Sequence, residues 1–345
     1  MTNFPLLKLP SVALHEVMKM MMPIEIFKLA MCSFQIESFL QHRKYKTNGL
    51  YINLLIDGPA HFDICYSDDS QSITFKSKPS KMIEMPVRRL EQLSERYIRG
   101  YYPNMCLTYS NLDEIVDIQR SLCAIFDLPL MGWFLCMDQI SPHRLDYDQC
   151  FYLLRKVLKT EYTQLILDGG WNESTLTYVL DKVPATKKLR IQRSSDIPLT
   201  FDHPNALKHF GTYYYDARWV KLQSLFSIRN VDTVTLKSTN FDCSDLNKFL
   251  RYWVDCDEFM LRSIEIRLKK GAVCDKAVIT DQLTTVSSIE NRLPQIFMKS
   301  RKEAGHKYVL GRLELYDPPV IFSTWDPNEK FSDVFQILTE KESNV

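Results

Sequence analysis

From about residue 105 onward one pattern recurs: a helix-like stretch, a short apolar strand, then a polar turn. The helical stretches are 111–126, 143–159, 172–183 and 242–256, and the strands are 131–137, 163–168, 187–192, 231–236 and 262–268. Leu135 to Ile166 is 31 residues, Ile166 to Ile191 is 25, and Val234 to Ile264 is 30. A strand plus a helix at that period predicts a stack of α/β units, each burying the face of its neighbour. The spacing is uneven, and no L-x-x-L-x-L frame repeats cleanly. The expected fold class is therefore α/β, with an irregular leucine-rich-repeat-like array as the body. Residues 193–219 read as the longest interruption of that array. They hold the aromatic cluster Tyr213-Tyr214-Tyr215 followed by Arg218 and Trp219. Tyr and Arg are residue types that anchor interfaces, so Tyr213, Tyr215 and Arg218 are the candidates for a target-binding surface. The competing reading is a strand whose tyrosines pack under the sheet. After the array, 308–316 and 320–325 form a last β pair around Asp317-Pro318-Pro319.

The first 46 residues have a different period. Leu9-Pro10-Ser11 is a helix start, with Ser11 able to cap it. Leu14, Val17, Met18 and Met21 then fall at helical spacing. Pro23 ends that helix or opens the next, and Phe34, Ile36, Phe39 and Leu40 mark a third. Three helices in so short a piece make a marginal module, and the apolar stripe Leu9, Leu14, Val17, Met18 reads as a docking face. Residues 50–78 switch to β-type runs separated by Asp57-Gly58-Pro59 and Ser67-Asp68-Asp69-Ser70, which predicts a small antiparallel meander. Residues 86–100 read as an amphipathic helix. The expected organisation is a helical module at 1–46, the meander and linking helix at 47–104, and the α/β body at 105–345.

At 345 residues and 45% hydrophobic content the chain has ample core, and a formal net charge of +1 offers no global field for nucleic acid, membrane or a polyanionic substrate. Ten glycines are few for phosphate-wrapping loops. There is no GxxxxGK[ST], GxGxxG or GxSxG, and His15-Glu16 lacks the second histidine of a zinc helix. The nine cysteines include no CxxC and sit mostly in apolar runs, as reduced core thiols of a cytoplasmic or nuclear protein do. No catalytic residue, metal site or cofactor is expected, and no signal peptide or membrane span is expected. Asn172-Glu173-Ser174 reads as a helix cap.

The segment FPLLKLPSVALHEVMKMMMPIEIFKLAMCS resembles an F-box of the kind carried by a large nematode family of F-box proteins. Phe4-Pro5, Leu9-Pro10, Leu14, Val17, Pro23, Glu25, Leu29 and Ser33 carry the match. After Ser33 this chain has Phe34-Gln35-Ile36 where the family usually has basic residues. The body is similar to the F-box-associated type 2 region of that family, best over 190–268, where VTLKSTNFDCSDLNKFLRYWV places Leu236, Asn240, Phe241 and Trp253. The resemblance implies a non-catalytic substrate receptor of a cullin–RING ubiquitin ligase of the SCF type. It implies a Skp-type adaptor, and through it cullin, bound by Leu9, Pro10, Leu14, Val17, Met18, Pro23, Ile24, Glu25 and Leu29, with an unidentified target protein bound by the body. The alternative is an F-box-like scaffold acting outside a ligase.

Overall fold

The computed structural model describes residues 8–46, 49–55, 60–66, 69–77, 105–109, 112–128, 131–137, 147–192, 197–290, 293–301, 310–316, 319–325, 334 and 337–338. The chain divides into two compact units, 1–165 and 166–345.

The first unit begins with three helices, α1 (Ser11–Lys19), α2 (Pro23–Cys32) and α3 (Phe34–Gln41), as the helical spacing predicts. Ser11 is inside the first turn and does not cap it, and Pro10 holds the cap position without a side-chain bond. Pro23 opens α2, whose entry is closed by Glu25 accepting from the Met22 N–H at 2.9 Å. Leu14, Met18, Phe27, Ile36 and Leu40 are buried. Two short strands follow the same core: β1 (Tyr45–Lys46) pairs in parallel with a later strand, and Tyr45 meets His15 Nδ1 at 3.1 Å. The meander is present as β2 (Gly49–Leu55), β3 (Ala60–Tyr66) and β4 (Asp69–Ser77), antiparallel in chain order. Then come β5 (Met105–Tyr109), α4 (Leu112–Ile125), β6 (Phe126–Asp127), which is the partner of β1, β7 (Met131–Met137) and α5 (Tyr147–Val157). Strands β4 and β5 pair in parallel, as do β2 and β7. That second pairing joins the meander to residues past 104. The helix expected at 86–100 lies outside the described residues.

The second unit starts within β8 (Gln164–Gly169) and continues through α6 (Glu173–Lys182), β9 (Lys188–Ile191), β10 (Gly211–Tyr214), α7 (Leu222–Phe226), β11 (Val231–Leu236), α8 (Cys243–Asp255) and β12 (Leu261–Ile266). These five strands lie side by side in chain order, and β9, β10, β11 and β12 are parallel. The segment 193–219 is therefore not a plain interruption. It supplies β10, an extra strand with no described helix before it. After α9 (Lys276–Ile279) the chain forms an antiparallel meander, β13 (Val286–Glu290), β14 (Leu293–Lys299), β15 (Leu310–Leu315) and β16 (Val320–Trp325), and β16 pairs antiparallel with β12.

Register explains the core. Leu189, Thr212, Val234, Ile264 and Phe322 are aligned across neighbouring strands, and so are Ile191, Tyr214, Leu236, Ile266 and Val320. All ten are buried. Alternation puts both rows on one face, and the helices cover it. On α8, Leu246, Phe249, Leu250, Trp253 and Val254 recur at helical spacing and are buried. Trp253 meets Phe322 edge-on at 4.9 Å. Asp242 caps α8 by accepting from Ser244 and Asp245 N–H at 3.0 and 3.2 Å, and Asp245 reciprocates. Asn172 caps α6, accepting from Thr175 N–H at 2.9 Å, as its sequence context predicts.

Candidate binding site

The residues between the two buried rows occupy the face opposite α6 and α8: Arg190, Tyr213, Thr235, Glu265 and Ile321 stand in register there. At the carboxyl ends of β10, β11 and β12 this face runs into an open cleft of about 990 Å³. The cleft is built by the three segments that leave those strands, 215–218, 237–240 and 267–273. In open α/β sheets the carboxyl ends of the strands are where ligands enter, because the loops there carry no burden of core packing.

The three segments brace one another. Ala217 N–H donates to Ser238 O at 2.6 Å, and Asn240 Nδ2 donates to Arg218 O at 2.9 Å. Thr239 Oγ1 donates to Arg267 O at 2.7 Å, and Lys269 N–H donates to Phe241 O at 2.9 Å. The Cys243 thiol donates to Val273 O and accepts from Asp275 N–H, both at 3.3 Å, which ties the far side of the cleft to the start of α8. Gly271 takes a φ of +82° in the turn between Lys269 and Ala272, a conformation that favours glycine.

The lining is cationic. Arg218, Lys237, Arg267, Lys269 and Lys270 all face the cleft. Three are paired: Arg218 forms a two-pronged bond to Asp216 (2.9 and 2.6 Å), Lys237 pairs with Glu265, and Lys269 donates to Asp242 at 2.8 Å. Arg267 and Lys270 are exposed and have no carboxylate partner among the described residues. Five cations against Asp216, Glu265 and Asp242 leave a local excess of two positive charges. Burial pushes the Asp216 carboxyl up, but the bonds and charge of Arg218 together hold it below the usual carboxylate range. The Lys269 hydrogen bond does the same for Asp242.

Of the residues predicted for target binding, Tyr215 and Arg218 line this cleft, Tyr215 being 55% exposed. Tyr213 lies on the open sheet face with the Arg190 guanidinium 4.2 Å from its ring centroid. Tyr214 between them is core, and its hydroxyl donates to Ala206 O. The sequence reading missed Lys237, Thr239, Asn240, Arg267, Lys269 and Lys270 as site residues. Their signal was position: polar and basic residues directly following the β-type runs VDTVTL and SIEI.

The residues predicted to hold the adaptor differ in exposure. Leu14, Met18 and Pro23 are buried, while Leu9, Val17 and Leu29 are half-buried. Pro10 and Glu25 are exposed, and the Ile24 side chain lies outside the described residues. Among the described residues of α1–α3 and their joints, Val12, Met20, Met22 and Phe34 are the exposed large apolar side chains, with Met20 at 85% and Phe34 at 70%. Among the described residues no group of three or more His, Cys, Asp or Glu is placed to hold a metal ion, and no helix is long and apolar enough to cross a membrane.

No protein-family model matches the chain. It is similar to two Caenorhabditis elegans proteins. One is Skn-1 dependent zygotic transcript 15 protein, 22% identical over 290 residues, which span 77% of this chain and 80% of that protein. The other is Uncharacterized protein F59B2.9, 22% identical over 262 residues, 73% of this chain and 59% of that protein. No solved structure matches.

Proposed function

We propose that this chain is a non-catalytic substrate receptor of an SCF-type cullin–RING ubiquitin ligase, holding a Skp-type adaptor through its N-terminal helices and a target protein through its α/β body. The observation that carries the reading is the three-helix module carrying the F-box-like residues and exposing Val12, Met20 and Phe34. Exposed apolar side chains on a small helical module are what a partner would cover. The chain-order run from β8 to β12, parallel from β9 to β12, supports reading the body as a leucine-rich-repeat-like array whose open face and loops recognise a target. One observation favours the alternative, an F-box-like scaffold acting outside a ligase: Leu14 and Met18, which belong to the docking stripe, are already buried within the first unit.

Co-purification of the full chain with the Skp-type adaptor separates the two. Phe34→Asp and Met20→Asp place charge on exposed positions without opening the core, so the thermal midpoint stays within a degree or two while adaptor capture falls at least about tenfold. Capture unchanged in both variants overturns the assignment of this face. Failure of the unaltered chain to capture adaptor overturns the ligase reading in favour of the scaffold.

A further inference from the structure

The cleft at the ends of β10, β11 and β12 has a chemistry that says more than that a protein docks there. Its backbone groups are largely occupied by the cross-bracing between Ala217 and Ser238, Thr239 and Arg267, and Phe241 and Lys269. Its free capacity is therefore in side chains, and the two lining cations without a carboxylate partner among the described residues are Arg267 and Lys270, both exposed. Arg267 follows β12 directly, and Lys270 lies on the turn that closes the cleft. Lys269 beside them is held by Asp242, and Arg218 across the cleft by Asp216. Apolar surface flanks these charges: Tyr215 is 55% and Val273 83% exposed. A volume of about 990 Å³ is at the upper limit for a small-molecule pocket of about 300–1,000 Å³, and an open trough of that size fits an extended segment of chain.

We infer that this cleft binds an acidic peptide segment, with carboxylates meeting Arg267 and Lys270 and an intervening side chain resting on Tyr215 or Val273. This deepens the receptor reading above and rests on it for the origin of the peptide in a target protein. Charge complementarity selects the peptide over nucleic acid. The excess here is two charges, and Asp216, Glu265 and Asp242 interleave with the cations. A nucleic-acid strand carries a negative charge on every nucleotide and would meet those carboxylates in succession. Spaced carboxylates on a peptide avoid them.

The test uses the full chain and a fluorescein-labelled Glu–Ala repeat peptide followed by anisotropy. Saturable binding that weakens as salt rises is expected, since solvent-exposed charges are screened beyond about 8 Å at physiological ionic strength. Arg267→Glu with Lys270→Glu should weaken it about tenfold or more, mostly through association rate, with an unchanged thermal midpoint because both side chains are exposed. If that reversal disturbs folding, Arg267→Gln with Lys270→Gln gives the same comparison at smaller amplitude. The inference is overturned by absence of binding, by equal binding of a Gln–Ala repeat peptide, by undiminished binding to the double variant, or by tighter binding of oligothymidylate. Adaptor co-purification, run in parallel, keeps the two ideas apart. Adaptor capture without peptide binding leaves the receptor reading standing and removes this site. Peptide binding without adaptor capture does the reverse.

Discussion

His209 gives the second unit a built-in sensitivity to acid that can be worked out in advance. Its ring is 1% exposed and Nδ1 has no hydrogen-bond partner. Burial lowers its pKa from 6.5 to about 4, a hydrogen bond to the Val183 backbone opposes the shift, and the charges of Lys208 and His203 assist it. In the unfolded chain the same ring titrates near 6.5. Between those values the unfolded state holds a proton that the folded state does not, so stability rises with pH across the window. The contribution is fully present above pH 6.5 and is lost as pH falls toward 4. At pH 5 the loss is about 1.5 pH units at 1.36 kcal/mol each, or roughly 2 kcal/mol, and it approaches about 3 kcal/mol near pH 4. Against a total of about 5–15 kcal/mol this is large. Urea unfolding at pH 7.5 and pH 5.0, in the native chain and in His209→Gln, isolates the effect from other titrating groups. Glutamine at 209 lowers stability at both pH values, but its loss between them should be smaller by about 2 kcal/mol. An equal loss in the two proteins would refute the reasoning.

Gly311→Ala tests packing against backbone entropy. Glycine in a strand is ordinarily the weaker choice by about 0.5–1 kcal/mol, yet a Cβ here would sit 2.6 Å from Phe322 and 2.9 Å from Trp253. Both rings are buried, so the substitution should destabilise by about 1–3 kcal/mol in chemical denaturation, and adding Phe322→Leu should recover part of the loss. Asp242→Ala removes the cap of α8 and the partner of Lys269. A loss of about 1 kcal/mol is expected, together with tighter acidic-peptide binding and a steeper salt dependence, since it frees Lys269 as a third cation in the cleft. A midpoint unchanged in urea would show that α8 does not depend on this cap.

Where local physics decides the structure, the sequence was enough to read it. The helix read at 242–256 is α8 to within one residue at each end, and the apolar runs of β11 and β12 mark those strands directly. Strand β10 stayed undecided between a recognition surface and a strand, because its inward positions are Thr212 and Tyr214, with no aliphatic residue to mark them. The cleft escaped for a different reason. Arg218, Lys237 and Arg267 lie 19 and 30 residues apart, and only the parallel register of three strands brings them to one place. The helical module shows the converse limit. Periodicity located α1–α3 correctly but could not say which stripe faces inward, and Leu14 and Met18 proved to be core while Met20 and Phe34 face solvent.

The antiparallel return of β16 onto β12 also sets a hazard during synthesis. Each parallel strand can find its neighbour as soon as the next unit emerges, because that neighbour is next in the chain. The outer edge of β12 has no such partner. It waits for Val320, which pairs with Ile266 from 54 residues downstream. At about 5–20 residues per second, the hydrogen-bonding edge Ser263–Ile266 stays bare for roughly 3–11 s on the ribosome. A message truncated before codon 320 would make that exposure permanent and leave the unit able to recruit a second nascent chain by its edge.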